Sequence, residues 1–206
     1  MQMFLFMTGV SPVLLSFPVE RAVFLREAGS EMYGILPYYL GKQIVELPLI
    51  VVMPTLYSLI IYWTVGLNDT EPYHFWVFLI LAILHHAAGN SVGLFGGCIF
   101  PDTRVAQSLL PMLVIPFMLF AGFFANRDTF SPWISWIEYI SPMKYTMEAF
   151  VTNEYDGLGY ENPDPVVDML HYDLGVPFCM SALFAIFFVL RFISYFALKV
   201  LMNTLQ

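Results

Sequence analysis

Ile35–Val65 is a nearly unbroken apolar run whose only charges are Lys42 and Glu46. As one helix it would be ~46 Å long at ~1.5 Å per residue, more than the hydrocarbon core of a bilayer requires. Further apolar segments occupy residues 1–17, 73–100, 105–125 and 177–201. The chain has 206 residues, of which 59% are hydrophobic and 12% charged. A soluble domain of this size has no core able to hide so much apolar surface. With lipid as solvent, backbone polar groups must be satisfied within each segment. The expected fold is therefore an all-α membrane protein: a polytopic transmembrane helix bundle of about five spans, with a re-entrant or interfacial helix and an external loop.

Composition also excludes functions. The formal net charge is -8, and most of the acid is concentrated in residues 126–175. The eight Lys and Arg residues form no basic stripe, so nucleic acid is not an expected partner. Cys98 and Cys179 make no disulfide framework. The apolar opening lacks the basic start and small-residue cleavage site of a signal peptide. It resembles the tail of a spanning helix, which suggests a fragment or a truncated gene product.

Pro18 is expected to end the first apolar run. Residues 17–33 then suit a short amphipathic helix along the membrane surface, closed by a turn at Ala28-Gly29-Ser30. Lys42 and Glu46 lie one helical turn apart and can pair at the membrane boundary. Pro48 and Pro54 are expected to kink that span. Residues 66–72 form a short turn containing Asn68-Asp69-Thr70, a glycosylation sequon held close to the membrane. His85 and His86 sit mid-span. Adjacent helical positions point about 100° apart, so a shared face is not expected, and polar contact with a neighbouring helix is. Gly89, Ser91, Gly93, Gly96 and Gly97 allow close helix approach.

Residues 101–104 form a polar turn. The 105–125 segment reads as a helix interrupted by Pro111 and Pro116, and residues 126–175 as a mostly polar insert. Residues 131–142 of that insert are too short to span but rich in Trp and Tyr, which suits a re-entrant cap with Glu138 hydrated at the interface. The last span carries Arg191 and Lys199 toward its end. Basic residues place loop 18–34 and the C-terminus in the cytoplasm, and residues 126–175 outside.

The run Val19-Glu20-Arg21-Ala22-Val23-Phe24-Leu25-Arg26-Glu27, followed by Tyr33, resembles the first cytoplasmic loop of the G subfamily of ABC transporters. These are the half-transporters of the White, sterol and multidrug-efflux type. The resemblance continues through residues 38–48, Ile61-Tyr62-Trp63 and Gly66-Leu67. It is strongest at Phe120-Ala121-Gly122-Phe123-Phe124 and Trp133-Ile134-Ser135-Trp136-Ile137-Glu138-Tyr139-Ile140-Ser141-Pro142. It closes at Lys144-Tyr145, Glu148-Ala149 and Asn153-Glu154-Tyr155.

The resemblance implies that residues 1–206 are an incomplete ABC exporter transmembrane domain, beginning in the second of six helices. Glu20, Arg21, Arg26, Glu27, Glu31 and Tyr33 would couple it to a nucleotide-binding domain. A two-fold pairing with a second half-transporter, homo- or heterodimeric, would enclose a cavity for lipophilic substrate. Phe4, Leu113, Val114, Phe117 and Met118 are its candidate wall, and Phe123 with Phe124 the candidate exit gate. No G-x-x-x-x-G-K-[ST] loop occurs in the chain, so ATP and Mg would bind the domain outside it. The chain itself is expected to hold no cofactor and to be no enzyme.

The expected function is thus the transmembrane module of an ATP-driven exporter of lipid, sterol, pigment or xenobiotic, in the plasma membrane or an internal one. Two other readings stay open on the residues alone. One is a non-transporting partner of full-length half-transporters, and the other an intramembrane enzyme using His85, His86 and Glu46.

Overall fold

The computed structural model describes residues 1–29, 34–100, 102–121, 136–156, 172 and 174–205. Every element among them is a helix: α1 (Gln2–Gly29), α2 (Ile35–Val65), α3 (Pro72–Ile99), α4 (Thr103–Leu119), α5 (Trp136–Ile140), α6 (Pro142–Tyr155) and α7 (Val176–Leu205). Among these, α1, α2, α3 and α7 are long and apolar enough to cross a membrane, and α4 is a shorter apolar helix.

The bundle is built around α3, which touches α1, α2, α4, α6 and α7. The most apolar stretch of α3 is 72% buried, against 22% for that of α2 and 17% for that of α7. The difference follows from side-chain size. Lipid gives two apolar helices little reason to associate, so close approach of small residues must supply the attraction. Gly89 packs on Phe6, Gly96 on Leu14 and Gly97 on Phe17, so α1 and α3 run parallel. A Cβ on Gly89 would lie 2.8 Å from the Phe6 carbonyl oxygen. Phe6, Val10 and Leu14 then meet Val92, Ala106 and Val114 in the core shared by α1, α3 and α4.

Several expectations need correction. Pro18 does not end the first helix, and α1 continues through Pro12 and Pro18 to Gly29. Contacts on both sides of Pro18 outweigh the lost backbone bond: Phe17 packs on Gly97, and Phe24 stacks on Tyr38 at 4.1 Å between ring centroids. Likewise α4 is unbroken at Pro111 and Pro116, and it ends at Leu119 with Phe120 as its cap, while residues 122–125 lie outside the described residues. Asp102 caps its start, accepting a bond from the Arg104 amide at 2.9 Å.

The polar insert also holds more structure than expected. Its α6 lies antiparallel along one half of α3: Thr146 Oγ1 is 2.8 Å from His85 Nδ1, Phe150 stacks on Phe78, and Asn153 Nδ2 donates to the His74 carbonyl at 3.1 Å. The element that folds back along the bundle is therefore Pro142–Tyr155, whereas the described part of the 131–142 piece is the single turn of α5. Glu138 is buried, not hydrated, because the corner between α5 and α6 brings Lys144 Nζ within 2.7 Å of its carboxylate.

Asn68 is buried at the foot of the turn between α2 and α3. Its Nδ2 donates to the carbonyls of Glu154 at 3.0 Å and Asp156 at 2.8 Å, while its Oδ1 accepts from the Thr70 hydroxyl at 2.7 Å. A glycan on Nδ2 would replace one of its two hydrogens, break at least one of these donor bonds and have to fit into a buried site. Endoglycosidase treatment of protein from eukaryotic cells is therefore expected to leave its gel mobility unchanged. A shift removed by Asn68→Gln would overturn this.

Candidate functional site

Toward the end of the bundle that carries the last turns of α1, charged side chains from α1, α2 and α7 meet polar groups of α3. Lys42 on α2 pairs with Glu20 on α1 and, at 3.0 Å, with Glu46 one turn further along α2. Glu46 faces Arg191 of α7 at 3.8 Å. Arg191 sits midway along an apolar helix and is only 7% exposed. Its Nε donates to Ser91 Oγ at 3.1 Å and its Nη2 to Asn90 Oδ1, both on α3. Tyr39 of α2 returns a bond from its hydroxyl to the Arg191 carbonyl at 2.6 Å. A charge inside an apolar segment is costly unless it is paired, and here the partners come from both α2 and α3.

Arg21 extends this arrangement. Instead of facing outward on a coupling surface, it is buried, and its Nη1 donates to the Cys98 carbonyl at 2.8 Å. That carbonyl belongs to the last turn of α3, where unsatisfied C=O groups and the helix dipole favour a cation. The far end of α1 is thereby tied to α2 through Glu20 and Lys42, and to α3 through Arg21. Arg26 is exposed and Glu27 half-buried. Glu31 and Tyr33 lie outside the described residues.

The expected cavity wall is divided by the structure. Val114 is fully buried against α1 and α3, so it faces no cavity within this chain. Phe4 is exposed and stacks on Tyr57 of α2 at 5.4 Å. Phe117 meets Phe6 edge-on at 6.4 Å. Met118 lines a cleft of about 390 Å³ between the first turn of α1, the end of α4 and α6, together with Met3, Met143, Met147, Phe78 and Phe150. The adjustable thioethers make this an adaptable apolar surface. The remaining face of α4 presents Val105, Met112, Ile115 and Leu119 outward. The Leu113 side chain, Phe123 and Phe124 lie outside what is described.

His85 and His86 both reach α1. His85 Nε2 donates to the Gln2 carbonyl at 3.2 Å, and His86 Nδ1 to the Leu5 carbonyl at 3.2 Å. The glycine contact brings the α1 backbone close enough for adjacent ring positions to use carbonyls about one turn apart. Among the described residues, no three His, Cys, Asp or Glu side chains are grouped to hold a metal ion. Cys98 and Cys179 are buried free thiols.

Sequence reasoning missed the partners of Arg191. An arginine inside an apolar span is itself a signal of a buried polar partner, but Asn90 and Ser91 carry no mark that singles them out. It also missed Glu148, which is fully buried and accepts from the Leu174 amide at 2.7 Å.

Long apolar helices whose few charges are paired across the bundle define a polytopic α-helical membrane domain. The sequence pattern of the ABC-2 type transporter family matches residues 1–155. The chain belongs to that family, and its relatives place it with the membrane domains of the G subfamily. It is 35% identical to Protein white of Ceratitis capitata over 157 residues, covering 74% of this chain and 23% of that protein. It is 30% identical to an ABC transporter ATP-binding protein/permease of Caenorhabditis elegans, over 91% of this chain and 31% of that protein. With ABC transporter G family member 22 of Arabidopsis thaliana it shares 29% identity over 93% of this chain and 25% of that protein. The chain thus spans about a quarter to a third of the length of these curated relatives.

Proposed function

We propose that this membrane domain moves lipophilic compounds outward across a bilayer, driven by ATP hydrolysed on a nucleotide-binding domain outside this chain, and paired with a second half-transporter. The observation that carries the reading is the double tie at the end of α1. Lys42 links Glu20 to α2, and Arg21 holds the last turn of α3. A push on residues 18–34 would reach two long helices through charged contacts rather than through soft apolar ones. Ion pairs and charge-assisted bonds are directional, so they can transmit a displacement that sliding methyl groups would absorb.

The Caenorhabditis elegans relative combines ATP binding and permease in its name, which supports a nucleotide-binding partner for this chain. The outward apolar face of α4, with Met112 and Ile115 exposed, suits either a second copy or flat apolar cargo. Phe123 and Phe124 follow that helix in sequence, and we assign them the exit gate. Two facing pairs of rings can close a pore without polar groups and part without breaking hydrogen bonds. Residues 18–34 and the C-terminus would then be cytoplasmic.

The test is reconstitution in proteoliposomes of the chain with its nucleotide-binding domain and a second half-transporter. ATP-dependent movement of a fluorescent lipid is expected. Lys42→Met should leave ATP hydrolysis largely intact while lowering lipid moved per ATP several-fold. Phe123→Ala with Phe124→Ala should change the same ratio. Lipid movement that ignores ATP would sink the exporter reading, and a ratio unaltered by the Phe pair would remove the gate.

A further inference from the structure

Five of the chain's 12 methionines meet in one place. Met1 and Met3 flank the start of α1, Met118 lies in the last turn of α4, and Met143 and Met147 belong to α6; all five line the cleft of about 390 Å³ described above. Met143 and Met147 are one helical turn apart, so they share a face of α6. Met143 is fully buried, and Met118 and Met147 are half-buried. Leucine would supply the same apolar surface with less side-chain freedom to lose on ordering. The concentration of thioethers therefore asks what sulfur adds.

The polar members of the lining are engaged elsewhere. Gln2 donates from Nε2 to the Met143 carbonyl, and the Glu154 carboxylate faces the Asn68 amide, with each oxygen 3.1 Å from that nitrogen. Tyr155 also has a partner. A hard cation such as Ca²⁺ takes about six to eight oxygen ligands, which the described lining does not supply. Among the described lining residues there is no histidine or cysteine either, so Zn²⁺ and Cu(II) find no preferred ligand. Thioether sulfur is a soft, neutral donor that needs no deprotonation, and it selects soft ions.

We infer that the cleft binds a soft monovalent metal ion of the Cu(I) class through methionine sulfur, with Met118, Met143 and Met147 as its main ligands and Met3 beside them. Methionine is unbranched and has three rotatable bonds, so sulfurs carried by different helices can close on one ion while the backbones stay in place. A buried cation must be balanced. The Glu154 carboxylate in the same lining brings opposite charge without having to ligate, and the Phe78 and Phe150 rings add attraction for a cation. A single positive charge suits a lining with one carboxylate. An ion held this way would tie the last turn of α4 to α6, two elements that the described contacts otherwise join mainly through the Ser141 bond to the Phe117 carbonyl and apolar packing. The binding is independent of transport and is tested without it.

The test uses the 206-residue chain in detergent, with Cys98→Ala and Cys179→Ala so that neither buried thiol competes. Cu(I) is supplied anaerobically from a bathocuproine disulfonate buffer containing ascorbate. Uptake of one Cu(I) per chain is expected, with X-ray absorption showing sulfur neighbours and no nitrogen or oxygen ones. Met118→Leu, Met143→Leu and Met147→Leu nearly conserve volume. Each should weaken binding about tenfold or more, since loss of even an outer partner of a metal ligand costs about 10–100-fold. Met53→Leu and Met112→Leu, exposed and outside the cleft, should leave binding unchanged. Free Cu(I) about 100-fold above Kd should raise the melting temperature by about 5–10 °C. Binding that survives the three cleft changes, or that falls equally with Met53→Leu or Met112→Leu, overturns the site. Nitrogen or oxygen neighbours in the wild-type spectrum overturn thioether ligation, and displacement by Zn(II) overturns the soft-ion assignment. No stoichiometric uptake overturns metal binding there and leaves the cleft an apolar surface.

Discussion

Gly93→Leu is expected to lower the stability of the chain by about 3 kcal/mol or more, the upper range for forcing volume into a packed contact. A Cβ at Gly93 would press on the Val10 backbone, with the Val10 carbonyl carbon at 3.1 Å. Backbone cannot swing aside as the end of a side chain can, so α1 must move off α3 along its length. For a chain of this size the loss corresponds to a fall of about 6–12 °C in melting temperature. Gly41→Leu is the control, because a Cβ there meets nothing within 4 Å, and its melting point should move by no more than a degree or two. The two variants compared by thermal size-exclusion in the same detergent decide the matter. If Gly93→Leu melts with the wild type, the α1–α3 contact does not organise the bundle.

Arg191→Met is expected to cost about 2–3 kcal/mol by the following weighing of effects. Single hydrogen bonds between membrane helices average only ~0.6 kcal/mol in mutant cycles, because the separated helices find other partners. Removing one member of a buried ion pair costs more, about 3–5 kcal/mol, because the surviving charge remains buried. Arg191 combines both effects: it bonds Ser91 and Asn90 and faces Glu46. Glu46 keeps Lys42, however, which limits the loss. Arg191→Lys should not restore stability, since a single ammonium cannot imitate a planar fork serving three partners. Adding Glu46→Gln to Arg191→Met should cost less than the sum of the two single changes. Strict additivity in that cycle would show that the pair does not interact.

These experiments address features of unequal visibility in the sequence. The Ile35–Val65 span coincides with α2, and the 73–100 segment with α3 to within a residue at either end, because apolar length alone sets what can cross a bilayer. The one-turn spacing of Lys42 and Glu46 puts both on one helix face, and that pairing needs no tertiary information. The glycines of residues 89–97 mark a close contact, though not the helix that would fill it. The family was also legible, carried by the order of short aromatic and charged pieces along the chain.

The return of α6 along α3 was not legible. Lys144, Glu148 and Asn153 make residues 142–155 look like exposed loop, whereas the fold buries all three against Glu138, the Leu174 amide and His74. Local polarity misleads there because each polar group is neutralised by a partner that the fold brings beside it from outside its own helix. The partner of Arg21 was hidden in the same way, since nothing in the sequence marks the Cys98 carbonyl at the end of α3 as its acceptor.

Membrane residence and the bounds of α2 and α3 are properties of segments, since each must satisfy its own backbone in lipid, and one chain of letters suffices to state them. Which helix becomes the centre, which prolines are tolerated within helices, and where Arg191 finds acceptors are properties of pairs. They depend on contacts between residues as many as 152 positions apart, as with Tyr39 and Arg191, and only the assembled bundle brings such residues together.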